Sequence, residues 1–297
     1  MQATPNPQEF VSVMTPAVRR AAVLVRALEG RVRNQPKLSE KTAVKQALTE
    51  ADTAAQDVLL ETLAERWPEV ALAAEEDTPR AARFPEQGDA VVIIDPIDGT
   101  LHSYLNGSGP YAVILGLAIE GSLRAGIVAM PREGLIFAAA KGGGAFMGRA
   151  GGELRATRVE PGGARVLVSH QMPVPVVEAL RERDLDVVRS CGGAIAVAPL
   201  VPGVRAGLRW TDAPRGLSVR GRVGALIALE AGALVGTDAD RPLSLELDEV
   251  VATLRVASDD ADLNLLAECL CVEGLGSTST DERPAGSPAG RSGRASS

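Results

Sequence analysis

The chain has 297 residues, 45% of them hydrophobic, which is enough for one large domain or two packed ones. Its formal charge of −7 argues against a general nucleic-acid binder, and no apolar run is long enough to span a membrane. The polar N-terminus shows no secretory pattern, and three cysteines without framework spacing predict reduced thiols in a cytoplasm.

Two helices are predicted in the first quarter of the chain. Apolar residues recur at helical spacing after Thr15-Pro16, a favourable cap and first-turn pair, and Gly30 ends this helix. Residues 31–45 are polar and are predicted to form a mobile loop. A second helix begins at Thr49 and carries Asp52 in its first turn, where an acid stabilises the helix dipole. Taken alone, Asp52 is therefore best explained as a structural residue.

An acidic run follows the first predicted strand. The apolar segment 70–74 ends on Glu75, Glu76 and Asp77. Three adjacent acids usually form a solvated loop, but their position directly after a strand favours a metal site.

A longer buried strand ends on two further acids. Val91–Ile94 is a continuous apolar run, typical of a strand covered on both faces. Asp95 ends it, Pro96 is expected to block the sheet ladder, and Asp98 follows. Gly99–Thr100 then permits a sharp turn into a helix. Two carboxylates placed beside a helix start are suited to holding a hard cation and an anion together.

The six residues Asp-Pro-Ile-Asp-Gly-Thr, from Asp95 to Thr100, resemble the signature of the inositol monophosphatase family. The resemblance covers the chain from near residue 10 to near residue 270. It implies a layered α-β-α-β-α sandwich of the sugar-phosphatase type, of mixed α+β and α/β character, with two closely packed sub-domains. It also implies Mg²⁺ as the cofactor and a small phosphorylated metabolite as the substrate.

The resemblance further implies roles for individual residues. Those implied to bind metal are Glu75, Asp95, Asp98 and the backbone carbonyl of Ile97. Those implied to act in catalysis are Asp52 and Thr100, which together activate the attacking water, and Glu75. Those implied to bind substrate are Asp98 and the backbone of Gly99 and Thr100. Glu76 would support Glu75 without binding the ion.

The middle of the chain is predicted to form an antiparallel meander. Apolar strands at 112–119, 123–130 and 135–140 are separated by turn sequences. Gly142–Gly144 lacks the Lys-Ser/Thr of a phosphate loop, so a turn or bulge is the better interpretation.

Beyond residue 160 the pattern changes to alternating strands and helices. The predicted strands are 166–169, 186–188, 233–235 and 254–257, and the predicted helices are 174–183, 192–198, 218–230 and 260–270. We therefore expect an N-terminal α+β sub-domain at 1–160, with the antiparallel sheet and the metal site. A C-terminal α/β sub-domain at 161–273 would shape the substrate pocket, and the apolar-poor tail at 274–297 is expected to be disordered.

One landmark of the family is altered in this chain. A Trp-Asp pair, whose Asp binds a second metal, normally precedes a Glu-Ala-Gly sequence, which is present here at 230–232. Counting back without gaps, the pair's positions hold Val219 and Arg220, so a base replaces the acid. The nearest Trp and Asp are Trp210 and Asp212.

Three interpretations of this change are open. Asp212 could reach the site through an inserted loop. Arg220 could instead occupy the second-metal position and bind the phosphate as a fork donor. Alternatively, Arg220 could repel cations and leave a weak or inactive enzyme. The last two agree better with the unfavourable proximity of an arginine to metal ions.

The sequence thus predicts a Mg²⁺-dependent phosphomonoesterase acting on a small sugar or inositol phosphate. Alternatives are a 3′(2′),5′-bisphosphate nucleotidase or fructose-bisphosphatase of the same family, or a catalytically weak phosphate-binding member. The family suggests a homodimer, and no nucleic-acid or membrane partner is expected. His102 and His170 lack metal-ligand spacing, although His102 follows the signature closely enough to approach substrate. Cys269 and Cys271 are predicted to be buried or half-buried thiols rather than zinc ligands.

Overall fold

A computed structural model describes residues 4–37, 42–213, 216–238 and 243–272. Within these ranges no helix is both long and apolar enough to cross a membrane. The helices are α1 (Pro7–Leu28), α2 (Ala43–Gln46), α3 (Glu50–Arg66), α4 (Val174–Arg181), α5 (Gly192–Ala196), α6 (Val223–Glu230) and α7 (Asp260–Cys271). The predicted disordered tail at 274–297 lies outside the described residues.

The strands form two sheets. The first has the order β1-β2-β3-β4-β5-β6-β7 and the second has the order β11-β12-β10-β8-β9. The strands of the first sheet are β1 (Ala71–Ala74), β2 (Ala90–Asp98), β3 (Ala112–Ile119), β4 (Ser122–Met130), β5 (Leu135–Ala140), β6 (Ala145–Arg149) and β7 (Arg155–Thr157). Those of the second sheet are β8 (Arg165–Ser169), β9 (Asp186–Ser190), β10 (Val204–Trp210), β11 (Leu234–Thr237) and β12 (Thr253–Ala257).

The elements stack in five layers. Helices α1 and α3 pack on one face of the first sheet, and α5 and α6 pack on its other face. The second sheet covers α5 and α6, and α4 and α7 close its outer face. The predicted layered sandwich is therefore confirmed. The chain passes from the first sheet to the second between Thr157 and Arg165, while the division into two sub-domains stays a prediction.

The layered packing explains why strand β3 of the first sheet is apolar throughout. On β3, Val113, Leu115 and Leu117 face the core under α1 and α3, whereas Ala112 and Ile114 face the core under α5 and α6. A strand covered on both faces has no position left for a polar side chain. Each fully buried Leu or Ile contributes about 1.5–3 kcal/mol, so both interfaces stabilise the sheet.

Helix α1 begins earlier than predicted. The side chain of Asn6 caps it by accepting from the backbone N–H groups of Gln8 and Glu9, and Pro7 occupies the first turn. Thr15-Pro16 therefore lies inside the helix and does not start it. The hydroxyl of Thr15 donates to the carbonyl of Val11 at 2.6 Å, which satisfies its polar group within the helix.

Strand β2 continues past Pro96, contrary to the prediction. Asp95 pairs with Ile114 and Asp98 pairs with Ala112, so β2 uses one residue more than β3 over this step. Because this extra residue forms a bulge, the missing N–H of proline does not break the ladder.

Other parts of the chain also differ from the prediction. Helix α2 begins within the segment 31–45, and residues 38–41 lie outside the described ranges. Strands β6, β7 and β10 were not predicted. The predicted helix at 218–230 is a 3-10 turn at Arg220–Arg222 followed by α6. The Gly142–Gly144 turn is confirmed, and two of its N–H groups donate to the carboxylate of Glu230.

Candidate active site

The register of two parallel strands brings together acids that are far apart in the sequence. Ala74 on β1 lies beside Ile94 on β2, so the next residues, Glu75 and Asp95, follow at the same edge of the sheet. Burial raises the pKa of Asp95, and the charges of Glu75 and Asp98 raise it further. The three acids from the two segments therefore lie close enough for their charges to interact.

Of these acids, Asp95 has the least favourable surroundings for a negative charge. Asp95 is only 5% exposed. Its Oδ1 atom is buried and has no hydrogen-bond partner among the described residues. A buried carboxylate oxygen without a donor is costly unless a cation or a proton satisfies it.

Asp98 is held by the next layer of the sandwich. Its Oδ2 atom accepts from the backbone N–H of Gly193 in α5 at 2.6 Å. Between Asp98 and the following helical turn, Gly99 has a φ of 96°, in the left-handed region. A Cβ at Gly99 would also lie 2.9 Å from the Cβ of Cys191, so only glycine fits this approach of the two segments.

Asp52 is placed at the site by the first turn of α3. Its Oδ2 atom accepts from the N–H and the hydroxyl of Thr49, the N-cap residue, at 2.8 and 2.6 Å. Its Oδ1 atom lies 3.0 Å from the hydroxyl of Thr100, which begins the π-helical turn Thr100–Leu105. The capping role and the pairing with Thr100 coexist, because the two carboxylate oxygens serve different partners.

The hydroxyl of Thr100 connects two acceptors with a single hydrogen. It lies 3.0 Å from Asp52 Oδ1 and 2.8 Å from the carbonyl oxygen of Ile97. When Asp52 is protonated it can donate to Thr100, which then donates to Ile97. Burial raises the pKa of Asp52 to about 7, against the lowering effect of the Thr49 hydrogen bonds, so both protonation states are accessible near neutral pH.

Hydrogen bonds from a residue of α3 hold the acidic loop after β1 in place. The buried side chain of Gln56 accepts from the N–H of Glu76 at 3.1 Å and donates to its carbonyl at 2.6 Å. The carboxylate of Glu76 pairs with Lys37 Nζ at 3.0 Å, which neutralises it behind Glu75. Asp77 is exposed.

Arg220 reaches the same acids from the turn before α6. Its Nη1 atom lies 3.4 Å from Glu75 Oε1, and its Nη2 atom lies 3.4 Å from the carbonyl oxygen of Ala74. Asp212 is exposed beyond the end of β10, and no hydrogen bond or ion pair joins it to these acids in the described part of the chain.

The chemistry of the donor set fits a hard divalent cation. It consists of the carboxylates of Glu75, Asp95 and Asp98 and the carbonyl of Ile97, and oxygen donors of this kind suit Mg²⁺ or Ca²⁺. The unpartnered Asp95 Oδ1 is an atom that such an ion would satisfy. Among the described residues, no three acids, histidines or cysteines are yet grouped around one ion position. Like charges repel, and Glu75 is paired with Arg220 instead.

A comparison with protein-family models identifies the chain. The model of the inositol monophosphatase family matches residues 6–186, which is more than half of the 297 residues. The chain belongs to the inositol monophosphatase family. The resemblance expected from the signature Asp95–Thr100 is therefore confirmed.

Individual relatives within the family carry different names. A histidinol-phosphatase of Chlorobaculum parvum is 34% identical over 34% of this chain and 37% of its own length. A Thermotoga maritima fructose-1,6-bisphosphatase/inositol-1-monophosphatase is 32% identical over 43% of this chain and 46% of its own length. A Solanum lycopersicum inositol monophosphatase 2 is 28% identical over 88% of this chain and 99% of its own length. Several curated relatives are thus covered over about half of their length or less.

Solved structures agree on the fold. The Thermotoga maritima IMPase has a TM-score of 0.67 and 23% identity, covering 88% of this chain and 97% of that one. At this level of identity the likeness establishes the layered fold of the family, while the activity has to be argued from the residues of the site.

Two residues near the candidate site were not identified from the sequence. Lys37 lies in a segment interpreted only as a polar loop, and Arg209 lies on β10, which was not predicted. The charge of Arg209 lowers the pKa of Asp98, although burial has the larger and opposite effect. The alternation of arginine with apolar residues on β10 was the available signal.

The other sequence candidates lie beside the site. His102 and His170 stack with ring centroids 4.6 Å apart. Ser103 donates to the carbonyl of Ser108 at 2.9 Å, so His170 Nε2, at 3.1 Å, must donate to Ser103. Cys191 and Cys269 are buried, whereas Cys271 is exposed, contrary to the prediction, because it lies at the last residue of α7.

A cavity of about 840 Å³ lies away from the acids. It is lined by residues such as Trp67, Pro85 and Asp89, near the starts of β1 and β2. The opposite ends of these strands carry Glu75 and Asp95. The acids therefore owe their proximity to strand register rather than to the walls of this cavity.

Proposed function

We propose that the chain is a Mg²⁺-dependent phosphomonoesterase that hydrolyses a small sugar or inositol phosphate. The observation that carries the proposal is the buried, unpartnered Asp95 Oδ1, on a carboxyl close enough to Glu75 and Asp98 for their charges to raise its pKa, together with the Asp52–Thr100 pair. The names of the relatives, all phosphatases of small molecules, support the same class.

The metal would be held by the carboxylates of Glu75, Asp95 and Asp98 and by the carbonyl of Ile97. When bound, it supplies positive charge that polarises the phosphoryl group and offsets the charge that develops during attack. The N–H groups of Gly99 and Thr100, at the start of the helical turn, would bind phosphate oxygens.

The proton of the attacking water would leave through Thr100 and Asp52. Thr100 accepts the proton at Oγ1 while its own hydrogen passes to Asp52 Oδ1, 3.0 Å away. Thr49 keeps the second oxygen of Asp52 saturated with two donors, which fixes the orientation of the carboxylate. Glu75 would take part in catalysis by holding the ion next to this pair.

We propose that Arg220 replaces part of the charge of a second ion in this chain. Its contact with Glu75 and the exposed position of Asp212 support this interpretation over rescue by Asp212. The same contact favours a second candidate function: a phosphate-binding protein with little turnover, in which Arg220 competes with the cation for Glu75.

Release of inorganic phosphate separates the two functions. The full-length protein is incubated with inositol 1-phosphate, fructose 1,6-bisphosphate, adenosine 3′,5′-bisphosphate and histidinol phosphate, with MgCl₂ and with EDTA. We expect Mg²⁺-dependent release from at least one ester, and the ranking of the esters identifies the substrate class. A folded protein that releases no phosphate from any of them contradicts the enzyme proposal and supports the binding function.

The activity should depend on the ionisation of Asp52. Burial raises the pKa of this carboxyl to about 7, and only the ionised form accepts a proton, so turnover should fall as the pH is lowered through 7. Between pH 8 and pH 6 the ionised fraction drops about tenfold for a pKa of 7. The measurement is kcat/KM against pH at low MgCl₂; higher MgCl₂ should move the inflection to lower pH, because nearby positive charge favours the carboxylate.

Two asparagine variants on α3 provide the comparison. Asp52→Asn should remove the inflection together with most of the activity, whereas Asp57→Asn, at a half-buried acid on the same helix that faces Arg80, should keep the wild-type profile. A wild-type profile that is flat from pH 5.5 to pH 8.5 would show that Asp52 is not the base.

We also propose a cytoplasmic location and a homodimer. The three cysteines are free thiols, which supports a reducing compartment. Sedimentation at micromolar concentration tests the dimer directly, and a monomer at all concentrations would contradict it.

A further inference from the structure

Arg209 is an arginine built into the site without a carboxylate partner. It lies at the end of β10, and its guanidinium passes between the backbones of Gly192 and Gly221. A Cβ at Gly192 would lie 2.6 Å from Arg209 Cζ, and a Cβ at Gly221 would collide with Nη1. The two glycines therefore form a slot that has room for the Arg209 guanidinium but not for a Cβ on either glycine.

The donors of Arg209 are almost unused in the described part of the chain. The guanidinium has one long hydrogen bond, from Nη1 to the carbonyl of Ser218 at 3.5 Å, and no ion pair. Burial lowers its pKa, while the charges of Asp98 and Asp95 oppose this effect. A guanidinium has five N–H donors in a planar fork, so most of its binding capacity is free for an oxyanion.

The neighbouring acid cannot serve as its permanent partner. Asp98 already accepts from Gly193, and under the proposed function its charge is committed to the metal. With the metal in place, Arg209 would be a half-buried cation without compensation, which is unfavourable. An anionic group of the substrate would remove this cost.

We propose that Arg209 binds a second anionic group of the substrate, so that the preferred substrates are phosphomonoesters whose alcohol part carries a carboxylate or another phosphate. This inference rests on the proposed function. Arg220 is engaged by Glu75, whereas the charge of Arg209 acts on Asp98 without an ion pair among the described residues, so Arg209 is the cation left available to the rest of the substrate. A planar fork matches the two oxygens of a carboxylate or phosphate, which a neutral polyol cannot provide.

Matched substrates test the proposal and separate its two anion sources. The carboxylate arm compares 3-phosphoglycerate with glycerol 3-phosphate, and the phosphate arm compares fructose 1,6-bisphosphate with fructose 6-phosphate. We expect the wild type to favour the doubly anionic member of at least one pair by roughly ten- to a hundredfold in kcat/KM, chiefly through KM. Arg209→Gln should abolish this ratio, and Arg209→Lys, which keeps the charge but loses the fork, should restore part of it.

Equilibrium binding provides a readout that does not require turnover. Calorimetry in MgCl₂ compares 3-phosphonopropionate with 3-hydroxypropylphosphonate, which differ in the carboxylate. Arg165→Gln, the same change on the adjacent strand β8 at an exposed ion pair with Asp186, should leave every ratio unchanged.

The outcomes distinguish this inference from the proposed function. No phosphate release from any ester would refute the proposed function, whereas the phosphonate comparison would still measure the preference for a second anion. The inference about Arg209 is overturned if the wild type shows no preference for doubly anionic ligands. It is also overturned if Arg209→Gln weakens both members of a pair equally, because that is the effect of a counter-ion that only positions Asp98.

Discussion

Replacing Asp95 by asparagine should abolish phosphate release and, at the same time, stabilise the metal-free protein. The cation contributes several kcal/mol to the transition state, so loss of this ligand should reduce kcat/KM by roughly a thousandfold or more. The pKa of Asp95 is raised well above its ordinary value. Burial is the largest cause, and the negative charges of Glu75 and Asp98 raise the pKa further. Because the pKa of Asp95 is raised in the folded state, the protonated carboxyl contributes to the free energy of unfolding at low pH. This contribution is lost as the pH rises through the folded-state pKa.

When Asp95 is ionised without metal, the wild type holds a buried charge with the unpartnered atom Oδ1. Removing that charge should raise the free energy of unfolding by about 1–3 kcal/mol, or a few degrees in melting temperature. Thermal unfolding in EDTA and in MgCl₂ measures both effects: Mg²⁺ should stabilise the wild type and leave Asp95→Asn unchanged.

Asp77→Asn provides the matched control for Asp95→Asn. Asp77 belongs to the same acidic loop but is exposed, so neither activity nor metal-dependent stability should change. If Asp95→Asn melts below the wild type in EDTA, Asp95 stabilises the apo protein, and the electrostatic conflict inferred at this site does not exist.

Replacing Arg220 by aspartate should increase the number of divalent ions that the protein binds. The guanidinium lies 3.4 Å from Glu75, so it opposes any cation bound to the same carboxylate. Removing this repulsion should tighten Mg²⁺ binding by about 1.5–3 kcal/mol, roughly ten- to a hundredfold. The new carboxylate should add a second ion, and calorimetric titration with MgCl₂ measures both the stoichiometry and the affinity.

Arg220→Gln separates the two parts of this expectation. It removes the charge without adding a ligand, so the affinity should rise while the stoichiometry stays at one ion. If the wild type and Arg220→Asp bind the same number of ions with the same affinity, Arg220 does not control metal binding. Phosphate release then distinguishes its roles: activity lost in both variants indicates that Arg220 binds phosphate, and activity gained indicates that it inhibits.

Several features could be predicted from the sequence because they depend on neighbouring residues. The apolar run of β2, the cap at Thr49 and the turn at Gly142–Gly144 follow from local pattern and backbone preference. The start of α1 was misplaced because Asn6-Pro7 and Thr15-Pro16 are similar local signals. Burial of Phe10 and Met14 against the first sheet supports the longer helix.

The strand β10 shows where local pattern fails. Arg205 pairs with Asp262 of α7, whereas Arg209 enters the slot between two glycines, so the arginines of one strand have different environments. A bulge between Val204 and Ala206 also shifts the register of the strand. Neither feature is visible in the alternation of residue types, since both depend on segments far away in the chain.

The sequence by itself determined the family signature, the apolar strands and the identity of the acids, because these depend on residue type and on spacing within a few positions. Only the tertiary structure decided that Glu75 lies beside Asp95, that Asp52 reaches Thr100, and that Arg220 contacts Glu75. The physical reason is that register between parallel strands and packing between layers set these distances. The cooperative burial of many side chains determines both, and no single segment encodes them.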